Sequence, residues 1–201
     1  MSRKEIKAAA KAQLGNGIFK NNWLMAVLSI IVFGIVGILV GLTGIGAILC
    51  TGPLAYGFAK LFLKQSRDGE AMTIGTMFDG FRDDFGGTIM LELMKAIFLA
   101  LWSMLAGIPG IVKSYSYAMA EYIKADHPEY TWNQCITESR KMMNGHKWQL
   151  FVQDLSFIGW GIVGSICFGV GTLWVTAYKN AARSQFYLSL LNAPATTENA
   201  Q

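Results

Sequence analysis

Apolar residues run along this chain in long blocks, separated by short polar or glycine-rich breaks. From Asn21 to Ala59 there are 39 consecutive residues without a charge, about twice the ~20 apolar residues that carry a helix across a bilayer. Hydropathy read together with helix breakers predicts six helical spans. They are Trp23–Leu42, Pro53–Leu63 (continuing to about Gln65), Thr88–Ala106, Ile111–Ala125, Trp148–Phe168 and Leu173–Leu191. The connections are of two kinds. Thr43–Gly52, Gly107–Gly110 and Gly169–Thr172 are short, uncharged and rich in Gly or Pro, whereas the others and the amino terminus hold nearly all the charge. Lys and Arg beside membrane spans stay on the cytoplasmic side. The pattern therefore predicts an all-α polytopic membrane bundle, three helical hairpins with both termini cytoplasmic and three bare turns outside.

The hairpins read as repeats. Their outer turns end near Gly52, Gly110 and Gly171, and "GIVG" occurs at Gly34–Gly37 and again at Gly161–Gly164. Each hairpin follows a polar segment suited to the membrane surface: Arg3–Lys20, Ile74–Phe85 and Thr131–His146. In the last, Thr131 with Gln134 fits a capping box, and Gly145 fits a helix stop. The units run over about 1–66, 67–127 and 128–192 of a single membrane domain, followed by a flexible polar tail at 193–201. Gly34, Gly37, Gly41 and Gly44 recur every three or four residues, with Gly161 and Gly164 at the matching place in the third hairpin. Such small-residue stripes let membrane helices approach closely, so helix packing is the role expected of them.

Composition narrows the class. Charged residues make up 15% of the chain, against about 25% in soluble domains. The apolar run after Arg3, Lys4, Lys7 and Lys11 is far too long for a secretory signal. Leu49 stands where a lipoprotein cleavage box before Cys50 requires a small residue. Three cysteines without metal-type spacing, and His127 far from His146, point to no metal and no cofactor. The net charge of +4 lies beside the spans, where it sets orientation, so no nucleic-acid partner is expected.

Ionisable residues inside the spans are the candidate chemistry. Glu92 and Lys95 are three apart on one helical face, able to pair. Asp154 lies about two turns into span five, Lys179 and Arg183 share a face of span six, and Glu121 lies on the inner half of span four. Lys113 stands near the outer end of span four, close enough to snorkel. Three acids thus face three bases in the inner half. Charges in a membrane pair with one another or line a water-filled path, and both arrangements fit these six.

At these residues the chain resembles a family of bacterial integral membrane proteins known as domain of unknown function 975. The resemblance rests on "RKEIK" (Arg3–Lys7), "GPL" (Gly52–Leu54), "IPGIVKSYSYAMA" (Ile108–Ala120), "SRKMMNGHKW" (Ser139–Trp148), "DLSFIGW" (Asp154–Trp160), "LWVTAY" (Leu173–Tyr178) and "FY" (Phe186–Tyr187). It implies a bacterial cytoplasmic membrane but no reaction. Lys113, Asp154 and the Gly145-His146-Lys147-Trp148 corner match the family pattern, whereas Glu121 and Ala177 stand where the family often has proline. The family is distantly similar to the membrane domains attached to some glycerophosphodiester phosphodiesterases, which points toward lipid.

No nucleophile, acid and base cluster in the sequence, so a non-catalytic role is expected. One class is a module that binds membrane lipids, a partner membrane protein or a second copy of itself, in envelope maintenance or protection against membrane-active peptides. The other is a small transporter with a polar cavity open to the cytoplasm. For the first, Arg140, Lys141, His146, Lys147 and Trp148 form the expected headgroup site, a basic face and an indole where an interfacial helix turns into a span.

Overall fold

In the computed structural model, residues 3–15, 21–41, 45–105, 107–166 and 170–192 are described. All of their regular elements are helices. In chain order come α1 (Arg3–Leu14), α2 (Asn21–Gly41), α3 (Ile45–Asp68), a 3-10 helix (Ile74–Phe81), α4 (Phe85–Leu105), α5 (Gly107–Ser116), α6 (Ala120–Asp126), α7 (Trp132–Met142), α8 (Lys147–Ile166) and α9 (Val170–Leu191). Helix α9 packs against α1, α2, α3 and α8. Ala177, Ala181 and Ala182 on it are fully buried, and their small side chains admit that many neighbours.

Helix α1 lies across this core, burying Ile6, Ala10 and Leu14. Those positions are four apart, one face of a helix. The Tyr178 hydroxyl donates to the Lys7 carbonyl at 3.0 Å, and the Trp23 indole N–H donates to the Gly15 carbonyl at 2.9 Å. Gln13 donates to Gln65 at 3.1 Å and accepts from Gln185 at 3.1 Å. The amino-terminal segment is thus tied into the bundle by named bonds.

Several sequence expectations change here. Helix α3 starts at Ile45 and passes through Pro53, so residues expected as part of an outer turn are helical. Proline removes one backbone hydrogen bond there. Span four is two helices, broken at Tyr117–Met119. The reason is a serine from α7. The Ser139 hydroxyl donates to the Ser116 carbonyl at 2.8 Å and accepts from the Met119 N–H at 3.2 Å, satisfying groups the break removes from the ladder. Ile74–Phe85, expected as an amphipathic surface helix, holds the shorter 3-10 helix packed on α3. Helix α7 has the expected capping box at Thr131 and Gln134, and Gly145 adopts φ +75°. It packs on α4 and α6 with Cys135, Ile136 and Ser139 buried.

The close backbone approaches lie elsewhere than expected. A methyl added to Gly34, Gly37 or Gly161 would meet nothing within 4 Å in the chain. Gly41, Gly44 and Gly164 fall outside the residues whose side-chain surroundings are described. The tight contacts are instead at Gly52 against the Thr88 backbone, Gly57 against Met77 and Gly80 against Pro53. They seat α3 on the 3-10 helix and on α4, so long-range packing, which spacing within one helix does not report, decides which glycines are indispensable.

Among the described residues one helix, Phe85–Met104, is long and apolar enough to cross a membrane, and Asn22–Ile38 is a shorter apolar helix. The carboxy-terminal half of α3 carries Lys60, Lys64 and Arg67, α9 carries Lys179 and Arg183, and α5 and α6 are each short.

Candidate functional site

Two charge clusters sit within the bundle. Lys95 on α4 is 9% exposed and bridges two carboxylates: Glu92 of its own helix, with Nζ to Oε2 at 2.7 Å, and Glu121 of α6. The α4–α5 hairpin, continued by α6, brings residues 95 and 121 level. On the other side, Arg183 Nη2 of α9 is 2.7 Å from Asp154 Oδ2 of α8, and Lys179 Nζ is 3.4 Å from Oδ1. The first cluster has one acid in excess and the second one base. Six of the seven charges singled out in the sequence are therefore grouped three and three.

Further ionic ties had no local signature. Lys124 is 1% exposed, and its ammonium donates to Asp84 Oδ2 at 2.5 Å and to the Pro128 and Tyr130 carbonyls, each at 2.7 Å. Asp84 itself stands just before α4 and accepts from the Gly87 N–H at 2.9 Å, as an N-cap does. Burial opposes its charge, but the bonds from Lys124 and Gly87 outweigh it and hold its carboxyl below the usual range. Arg67 grips Asp126 with both terminal nitrogens, Nη2 at 2.9 Å, while the Tyr187 hydroxyl donates to the same carboxylate at 3.0 Å. The Arg67 guanidinium holds the Asp126 carboxyl low against its burial. These partners are 40 and 59 residues apart in the chain. The one clue was a lysine and an aspartate at the edge of an apolar run.

The junction of α5, α7 and α8 forms a recess of about 400 Å³, bordered by Lys113, Arg140, Lys141 and Lys147 together with Thr137 and Asn144. No carboxylate lines it. Lys141 pairs with Glu138 at 2.8 Å, whereas Lys113, Arg140 and Lys147 form no ion pair among the described residues. The Lys113 ammonium lies 4.4 Å from the Trp102 ring centroid, a cation–π contact. This corrects the sequence map, which put Lys113 and the other three cations at opposite membrane faces. They share one recess because α7 folds back beside α4 and α6, bringing its carboxy-terminal end to Ser116. His146 and Trp148, expected in the same site, do not line it: His146 Nδ1 is 3.2 Å from Gln149, and Trp148 is 71% exposed and stacked on Phe151.

Among the described residues no group of three or more His, Cys, Asp or Glu side chains could hold a metal ion. What the elements build is an all-helical protein with two opposed charge clusters inside it and a cationic recess at one junction. Residues 104–194 match the family model described as Protein of unknown function (DUF975). The match takes in Lys113, the recess and the Asp154–Arg183 cluster, while the Arg3–Lys7 and Gly52–Leu54 motifs precede it. No curated protein and no solved structure matches the chain.

Proposed function

We propose that this is a multi-pass bacterial membrane protein that binds anionic lipid headgroups in the recess between α5, α7 and α8, without catalysing a reaction. The observation that carries the reading is the recess itself, with four cations around about 400 Å³ and no lining carboxylate. Each basic group near an anionic membrane surface contributes ~1 kcal/mol. The apolar surroundings support the membrane part. Only 17% of the most apolar window of Phe85–Met104 is buried inside the chain, where a soluble core helix would be mostly covered. Leu101 and Met104 of that helix are exposed, as are Ile35 and Ile38 of α2. Ile111, Val112 and Trp148, also exposed, flank the recess in sequence and suit a headgroup boundary.

The test is native mass spectrometry of the purified chain from detergent, with and without Lys113→Ala, Arg140→Ala and Lys147→Ala together. Wild type should retain phosphatidylglycerol or cardiolipin and the variant should lose it, with an Arg3→Ala, Lys4→Ala, Lys11→Ala control unchanged. Equal retention by wild type and recess variant would refute the reading and leave these cations a role in orientation.

A further inference from the structure

A second cavity, of about 290 Å³, lies among α2, α3, α6 and α9. Helices α2 and α3 supply an apolar lining of Ile30, Phe33 and Phe58, and α6 and α9 a polar one of Glu121, Asn180 and Arg183. Phe33 and Phe58 touch, with ring centroids 5.4 Å apart, and form a continuous aromatic surface. Its two charged residues come from different clusters. Glu121 belongs to the one with two carboxylates on a single ammonium, and Arg183 to the one with two cations on a single carboxylate. They form no ion pair with each other, each being held by another partner. Arg183 Nη2 is held by Asp154 Oδ2 at 2.7 Å, and its Nε is buried without a hydrogen bond.

The cavity thus separates a site of excess negative charge from one of excess positive charge, in surroundings where charges are weakly screened. A plain anion entering it would meet Glu121, and a plain cation Arg183. We propose that it binds a zwitterion with an apolar body: the cation at Glu121, the anion at Arg183, the apolar part on Phe33 and Phe58. A headgroup-sized molecule fits a space near the lower end of ligand pockets, roughly 300 Å³. Ethanolamine phospholipids and free amino acids with apolar side chains share this chemistry. The inference goes beyond the anionic-lipid reading and does not rest on it, since the recess residues play no part.

The test measures binding to the full chain in a maltoside detergent by titration calorimetry. The probes are phosphatidylethanolamine, phosphatidylglycerol, free leucine and glycerophosphoethanolamine, the last a headgroup without chains. The measurements use the Lys113→Ala, Arg140→Ala, Lys147→Ala background, so that the recess contributes nothing. Zwitterions should bind and phosphatidylglycerol should not. Glu121→Gln should weaken binding by about tenfold or more. Ala55→Phe, which fills the cavity without removing a charge from either cluster, should abolish it. Asn180→Leu, whose amide donates to the Thr176 carbonyl of its own helix, stands in if that variant does not fold. Binding of the lipid alone assigns a headgroup, and binding of leucine or glycerophosphoethanolamine at least as tightly assigns a free solute. Absence of zwitterion binding, equal binding of phosphatidylglycerol, or unchanged binding in a folded cavity variant overturns the proposal.

Discussion

Replacing Lys124 with methionine removes a charge and three donors while keeping a similar apolar stem. The ammonium is 1% exposed and all three of its protons are used: by Asp84 Oδ2 at 2.5 Å and by two carbonyls at 2.7 Å. Removing one member of a buried pair costs roughly 3–5 kcal/mol. Two features here lower that figure. The Asp84 side chain is 36% exposed and can be rehydrated, and it keeps the bond from the Gly87 N–H at 2.9 Å. The Pro128 and Tyr130 carbonyls are left to find water at the α6–α7 turn. A loss of about 3 kcal/mol is therefore expected, with hydrogen bonds to charged groups at about 1.5–3 kcal/mol each as the guide. For a chain of this size that lowers Tm by roughly 6–12 °C. Thermal unfolding in detergent, followed by tryptophan fluorescence, reads it directly. Asp84→Asn alone should cost less, because it spares the two carbonyl bonds, and the double variant should fall short of the sum. A loss below about 1 kcal/mol for Lys124→Met, or strict additivity, would refute the reasoning.

Gly57→Ala should destabilise by about 1–3 kcal/mol, since its methyl would enter the Met77 backbone; Gly37→Ala, with nothing within 4 Å, should leave Tm unchanged or raise it, and the opposite ranking would refute this packing account. Asp154→Asn and Arg183→Gln should each lower Tm, with the double variant recovering part of the loss; because Lys179 remains 3.4 Å from Asp154, Arg183→Gln should cost less than an isolated buried carboxylate would, and additive losses would remove the pair from the account. The lowered carboxyl of Asp126 contributes stability that is complete above its ordinary value of 3.8 and is lost as pH falls through the lower folded value. The acid limb of a Tm–pH profile should flatten in Asp126→Asn and keep its wild-type slope in the exposed control Glu70→Gln; a flattened control with an unaltered Asp126 variant would reject the assignment.

The hydrophobic pattern was enough to read the helical class, and local spacing the capping box of α7, because those depend on neighbours within a few residues. The capping box at Thr131 and Gln134 needs only a serine- or threonine-like oxygen three residues before a backbone N–H, and Glu92 with Lys95 needs only one turn of helix. The motifs at Ile108–Ala120 and Ser139–Trp148 likewise marked the DUF975 segment without any coordinates. What spacing alone does not carry is which distant groups meet. The break in span four arises because Ser139, some twenty residues on, supplies the bonds that Ser116 and Met119 lose. Lys113 joins Arg140 and Lys147 for the same reason, α7 turning back along α4 and α6 rather than lying apart from them. The glycines that matter, Gly52, Gly57 and Gly80, look no different in sequence from Gly34 and Gly37. They differ only in what the other helices place against them. Periodicity records which face of a helix is apolar, and tertiary packing alone decides what that face meets.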